Sequence, residues 1–169
     1  AILAAAASGK HILAEKPLCL TAEEADEIGN AVTAAGVTLM CAHNQLFMPT
    51  VRRARELVDE GFCGDVHTVR TSDSFFVDFT PETMGWRANR LKSGGGELID
   101  TGYHPAYLLL HLAGSEPTAV TAILSRYRLG FLDGEDSAQV SVRFGNGALG
   151  TLETSWAHDP AGTEKFALV

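Results

Sequence analysis

The sequence has few cysteines. Its 169 residues include three, Cys19, Cys41 and Cys63. The number is odd and no two form a C-x-x-C pair. That argues against a disulfide framework or a metal site and for a reducing, cytoplasmic setting. Basic charge is also scarce. Thirteen Lys and Arg stand against 21 Asp and Glu, for a net charge of −8 at pH 7. Such a balance argues against a nucleic-acid backbone or an anionic membrane as the main partner. Long apolar runs are missing too. The longest nearly uncharged stretch, residues 98 to 115, is interrupted by Asp100, His104 and Pro105, so it cannot span a bilayer. The opening "AILAAAASGKH" has no Met and no basic region before its apolar run, and does not read as a signal peptide. What remains is 46% apolar and 20% charged residues, enough for a folded chain with a real core.

Local signals divide the chain. "AILAAAASG" reads as the last turns of a helix closed by Gly9, and His11 to Ala14 as a short strand. Thr21 opens a second helix with Glu24 as its capping-box partner and Gly36 at its end, with Ala25, Ile28, Val32 and Ala35 at helical spacing. "VTLMCA", residues 37 to 42, reads as a buried parallel strand. Together these form one half of a doubly wound α/β unit. Pro49 opens another helix, ending at Gly61. After residue 64 the texture becomes strand-like in "DVHTVRTSDSFFV", "TAVTAILSRYR", "DSAQVSVRF" and "LGTLETSWA", which predicts an α+β domain on a mostly antiparallel sheet. The terminal "TEKFALV" also reads as a strand. A helix without a beginning and a strand at the end suggest a piece cut at both ends.

The stretch "GNGALG", residues 145 to 150, matches the dinucleotide fingerprint by letter. That fingerprint must follow a strand and open a helix. Here strand-like residues lie on both sides, and Asn146-Gly147 predicts a type I′ hairpin.

The most unusual stretch is "SGGGELIDTGYHPAYLLLHLAG", residues 93 to 114. Steps of four, three and four put Asp100, His104, Tyr107 and His111 on one helical stripe. Leu98, Ile99, Gly102, Ala106, Leu109, Leu110 and Ala113 cover the other directions and read as core. Residues 98 to 113 hold no Lys, Arg or Glu. A plain solvated face would carry such charges; an acid with histidines suits a cleft that moves protons. A half-buried helix with satisfied polar groups is the alternative. Pro105 disfavours α conformation at His104, so the helix either kinks there or starts its regular part near Thr101.

"HILAEKPL" places Glu15, Lys16 and Pro17 at the carboxyl end of a parallel strand, where open α/β sheets bind ligands. An ordinary strand-to-helix loop would read the same way. A cis peptide before Pro17, a minority state at about 5–6% of such bonds, would aim Lys16 rigidly. "AEKP", then "WR" at Trp86 and Arg87, then "GGGELIDTGYH", together resemble the glucose–fructose oxidoreductase/inositol 2-dehydrogenase (Gfo/Idh/MocA) family. "NQLFMPTVRRARELVDEGFCGDV" is similar to that family's segment after its last Rossmann strand. The resemblance runs from about residue 2 to residue 157.

It implies the C-terminal half of a Rossmann-type sheet over residues 1–45 and a substrate and oligomerisation domain over residues 46–169. It implies an NAD(P)-dependent dehydrogenase acting on a sugar, cyclitol or related polyol, with NAD or NADP as cofactor and a homo-oligomer formed through the C-terminal sheet. Residue by residue, Lys16, Asp100 and His104 match the catalytic positions. Glu15, Lys16, Pro17, Trp86 and Arg87 match the nicotinamide end, and Asn44, Gln45 and Tyr107 the substrate side. His104 would be the base, Asp100 its orienter or a holder of a second hydroxyl, and Lys16 the stabiliser of alkoxide charge. Tyr107 stands where many relatives carry a second aspartate, and Gln45 and Leu46 replace a common basic pair. The phosphate-binding loop is absent, so the isolated chain is expected to be inactive. A non-catalytic dinucleotide sensor, or a purely structural domain, remains the alternative. His111 reads as structural.

Overall fold

The structure is a computed structural model that describes residues 1–158 and 166–168. It divides into two compact units, Ala1–His43 and Asn44–Val169. The division puts Asn44 and Gln45 with the second unit.

The first unit runs α1 (Ile2–Ala7), β1 (Ile12–Ala14), α2 (Ala22–Ala35) and β2 (Leu39–Cys41). Its helices stop and start by side-chain and backbone chemistry. At the end of α1, Gly9 takes φ 66° and its N–H donates to Ala6 O, while Lys10 N–H donates to Ala5 O. This is a Schellman closure, which needs a left-handed residue at the Gly9 position. Thr21 Oγ1 accepts from Glu24 N–H, and Glu24 Oε2 accepts in return from Leu20 N–H. The reciprocal bond therefore falls one residue earlier than in a strict capping box. Strands β1 and β2 are parallel, with Leu13 beside Met40. Those two side chains are 72% and 44% exposed, so residues 37 to 42 are not buried on both faces as their apolar run predicts. Ile28 alone is fully buried in α2; Ala25 and Ala35 are exposed. A two-stranded sheet offers too little surface to cover every apolar position.

The second unit begins with a 3-10 turn at Asn44–Phe47 and α3 (Pro49–Asp59), followed by β3 (Thr68–Ser74). Short helices follow: α4 (Pro81–Met84), a 3-10 turn at Gly85–Ala88, α5 (Arg90–Ser93) and α6 (Glu97–Asp100). Then come α7 (Tyr103–Ala113), β4 (Pro117–Ser125), β5 (Ser137–Phe144), β6 (Leu149–Ser155) and β7 (Phe166–Leu168). The terminal strand reading thus holds for residues 166–168, while residues 163–165 and 169 lie outside the described residues.

The sheet order is β4-β5-β6-β3-β7. All pairs are antiparallel except β3 with β6, which run parallel from Thr68 opposite Leu149 to Ser74 opposite Ser155. On β5, Ala138, Val140, Val142 and Phe144 are buried while Gln139, Ser141 and Arg143 are exposed, the alternation of a half-covered strand. Helix α7 closes that core with Leu109, Leu112 and Ala113 against Val69, Val142 and Leu152. Truncating Leu109 or Leu112 to Ala would cost about 2–5 kcal/mol. A second cluster joins Met84, Leu129, Leu132 and Trp156. Between β4 and β5, buried Asp136 accepts from the N–H groups of Tyr127, Arg128 and Leu129 and from the Ser137 hydroxyl.

Residues 145 to 150 form the β5–β6 hairpin. Gly147 N–H donates to Phe144 O and Phe144 N–H to Ala148 O. Gly147 has φ 89°, but Asn146 keeps a negative φ. The turn is therefore not type I′, which needs φ > 0 at both central residues; it is a three-residue loop with the left-handed residue last. The Asn146 side chain is engaged elsewhere, with Oδ1 accepting from Ala148 N–H and Nδ2 donating to Ala113 O.

Candidate active site

The stripe of residues 100 to 111 is not one helix. Asp100 closes α6, and the chain breaks at Thr101–Gly102 before α7 starts at Tyr103. Pro105 is then the third residue of α7, where a backbone N–H has no intrahelical partner to lose. Of the positions expected in the core, Leu109 and Ala113 are buried, but Leu110 is 46% exposed. Tyr107, expected on an open stripe, is buried with Val51 and Leu108. The reason is that α7 is covered twice, by the sheet on one side and by α3 on the other.

The glycines before α6 have a physical purpose. Gly94 ends α5 in the left-handed region at φ 82°. At Gly96 an added Cβ would lie 1.9 Å from Glu135 O, so the two backbones touch. That contact delivers Glu97 into the sheet. Glu97 is fully buried, its N–H donates to Glu135 O, and its carboxyl is hydrogen-bonded to the Thr154 hydroxyl. The Thr154 hydroxyl also donates to Asp73 O at 3.0 Å. A hydroxyl has one proton. The Thr154 proton is thus shared between the Glu97 carboxyl and the Asp73 carbonyl. Burial pushes the Glu97 pKa from 4.5 to about 8, with the nearby Asp73 adding to the effect and the Thr154 bond opposing it. Nothing in the sequence pattern marks Glu97, since its neighbours suggest only a helix start.

Asp100 is paired with Arg87, Nε to Oδ2 at 2.9 Å. The Arg87 guanidinium also lies 4.8 Å from the centre of the Trp86 ring, within cation–π range. Trp86 is 53% exposed. The exposed Trp86-Arg87 pair and the half-buried Asp100, 13 residues on from Arg87, are thus brought together.

His104 Nδ1 lies 2.7 Å from Tyr107 Oη, with the rings edge to face. The same oxygen accepts from Gln45 N–H at 3.2 Å and donates to Asn44 Oδ1 at 3.3 Å. Four residues singled out by sequence, Asn44, Gln45, His104 and Tyr107, therefore meet at one hydroxyl. His111, one turn further on, accepts at its carbonyl from Arg55 Nη1 at 2.9 Å, and burial lowers its imidazole pKa, with Arg55 adding to the effect. Both features fit a structural role.

In the first unit, Glu15, Lys16 and Pro17 directly follow the carboxyl end of β1. Lys16 is half-buried, and the Lys16–Pro17 peptide is cis. Among the described residues no group of three His, Cys, Asp or Glu could hold a metal ion, and no helix is long and apolar enough to cross a membrane.

A profile of the GFO/IDH/MocA C-terminal domain matches residues 51–169, and one of the oxidoreductase family's NAD-binding Rossmann fold matches residues 1–43. The chain is 34% identical over 165 residues to 1,5-anhydro-D-fructose reductase of Ensifer adhaerens, covering 98% of this chain and 47% of that protein. It is 29% identical over 178 residues to levoglucosan dehydrogenase of Pseudarthrobacter phenanthrenivorans, covering 90% and 45%. A solved levoglucosan dehydrogenase in complex with NADH and levoglucosan superposes with a TM-score of 0.89 at 31% identity, over 99% of this chain and 47% of that one. The chain thus spans about half the length of the curated relatives it matches. With a parallel two-stranded unit leading into a mostly antiparallel sheet, and a profile match on each, the chain belongs to the Gfo/Idh/MocA family of oxidoreductases.

Proposed function

We propose that this chain carries the nicotinamide end and the substrate domain of an NAD(P)-dependent dehydrogenase acting on a CH–OH group of a sugar, cyclitol or related polyol. The observation that carries the reading is His104, half-buried at the start of α7 with Nδ1 tied to Tyr107. An imidazole oriented by a fixed partner is suited to take a hydroxyl proton near neutral pH. The substrates named for the relatives, an anhydrofructose and levoglucosan, support a polyhydroxylated substrate.

The residues present fit part of a dinucleotide. The Glu15-Lys16-Pro17 loop sits at a strand's carboxyl end, where open α/β sheets bind ligands, and Trp86 offers an exposed indole beside Arg87. No phosphate-binding loop occurs among the described residues, since GNGALG is a hairpin. When bound, NAD or NADP supplies the hydride acceptor. The chain's own groups do the rest. His104 takes the hydroxyl proton, Asp100, held by Arg87, orients a hydroxyl, and Lys16 stabilises developing negative charge on oxygen. Asn44, Gln45 and Tyr107 gather at the Nδ1 edge of the base.

Two further observations support a partner and a location. Strand β4 is almost wholly exposed, with Val120, Ile123 and Leu124 at 71%, 70% and 52% exposure. Such a face supports a homo-oligomer formed through this sheet. Cys19, Cys41 and Cys63 are all unbridged, which supports a reducing cytoplasm.

The test is turnover of a polyol panel with NAD and NADP by the full-length polypeptide containing this sequence. Oxidation of one or more polyols is expected. Tight dinucleotide binding without turnover would favour a sensor of the same family instead.

A further inference from the structure

We propose that the open edge of β4 is a dimerisation surface, pairing antiparallel with β4 of a second copy of this chain about a two-fold axis at Thr121. The inference deepens the reading of a homo-oligomer formed through the sheet, and rests on it.

A sheet has two edges. Among the described residues these are β7, three residues long, and β4, nine residues long. Edges that are short, charged or bulged resist pairing with another chain. β7 is protected by its shortness. β4 has no charged residue from 117 to 125, and Pro117 and the irregularity between Pro117 and Ala119 guard only its beginning. The ladder also shows which backbone groups of β4 face outward. Phe144 N–H donates to Ala148 O, so the even-numbered residues of β5 bond to β6 and the odd-numbered ones to β4. Opposite those odd-numbered residues stand Ala119, Thr121, Ile123 and Ser125. Val120, Ala122 and Leu124 therefore turn their N–H and C=O groups to the open edge, and all three are exposed.

Symmetry and charge select a second copy as the occupant. A strand paired antiparallel with itself is isologous, so one uncharged edge serves both subunits. Charge then fixes the register. Glu116 and Arg126 flank β4 at its two ends, and both are exposed. An axis at Thr121 sets Val120 against Ala122 of the partner subunit, both with outward backbone groups. The same axis carries Glu116 toward Arg126 of the partner subunit at each end. Moving the axis to Val120 or Ala122 still pairs outward groups but separates the charges. Arg126 donates one N–H to Leu132 O, and a guanidinium has others to give. Packing through the outer face of the sheet is a poorer fit. It would bury Gln139, Ser141 and Arg143 of β5 and Glu153 of β6, all of them exposed polar or charged groups.

The test is sedimentation equilibrium of the 169-residue chain over a range of concentrations. A reversible dimer is expected. Ala122→Pro removes an outward N–H and spares the β5 ladder, and is expected to give a folded monomer. Glu116→Arg and Arg126→Glu should each weaken the dimer by about tenfold, because like charges then meet at both ends. The double variant restores opposite charges and should recover the parental affinity; this recovery decides the matter if Ala122→Pro fails to fold. Gln139→Lys, on the outer face, should leave the dimer unchanged. A dimer broken by Gln139→Lys and untouched by the edge variants would overturn the edge assignment while the homo-oligomer reading stands. A double variant no tighter than the single ones would overturn the axis at Thr121. A monomer at every concentration would overturn both the edge assignment and the homo-oligomer reading.

Discussion

Arg87 Nε and Asp100 Oδ2 stand 2.9 Å apart and join two segments that the sequence separates by a whole helix. The pair is partly open to solvent, with side chains 46% and 22% exposed. An ion pair of this exposure adds only about 0–1 kcal/mol to stability. Its value must therefore lie in where it holds Asp100. Arg87→Ala and Asp100→Asn should each leave the urea midpoint of the chain nearly unchanged. In the full-length polypeptide each should lower turnover, and the double variant should be no worse than the more damaging single one. Additive losses in turnover would show that the two residues act separately.

Glu97 predicts an unusual pH dependence. Its pKa rises from 4.5 to about 8 on folding, chiefly because burial penalises the carboxylate. Between those values the unfolded chain gives up a proton that the folded chain keeps. Stability from this group therefore falls as pH rises through that window, approaching about 1.4 kcal/mol per pH unit. Glu97→Gln preserves the shape and cannot ionise. Urea unfolding from pH 5 to 8 should show the variant gaining on the parent as pH rises. Parallel curves for the two proteins would mean that Glu97 is ionised in the fold.

The glycine run makes a sharper structural prediction. Gly96→Ala would drive a Cβ to 1.9 Å from a backbone oxygen, which cannot swing aside. A loss of about 3 kcal/mol or more is expected, at the high end for one substitution. At Gly95 the nearest atom is Ile99 Cγ2 at 3.2 Å, a side-chain end that can shift. Gly95→Ala should stay within about 1 kcal/mol. Equal midpoints for the two variants would contradict the close approach of Gly96 to Glu135.

Local chemistry was readable in the sequence. Thr21, Gly9, Gly36 and Gly61 mark helix ends because caps depend on one residue and its neighbours, and β5 shows its face by alternation. Three features were not. The parallel pairing of β3 with β6 joins segments some eighty residues apart, and nothing local in "TVRTSDS" distinguishes it from an antiparallel strand. Pro105 signals a regular helix starting near Thr101, and α7 does start at Tyr103, but the tight contact of Gly102 with Leu98 and Thr154 that sets the break is not legible in the sequence. Tyr107 is buried because α3 folds over it, a packing choice made outside the stripe. The family motif named Lys16, Asp100 and His104, but the partners that orient them, Arg87 for Asp100 and Tyr107 for His104, emerged from the fold.

The central claim is that His104 is the base in a nicotinamide-dependent oxidation. The most direct measurement is the pH profile of kcat for His104→Ala in the full-length polypeptide, with the best substrate of the polyol panel. A loss of about 10²- to 10⁴-fold near neutral pH is expected, the range for removing a general base, together with loss of the limb that reports its titration. Parental turnover with an unaltered profile would contradict the account.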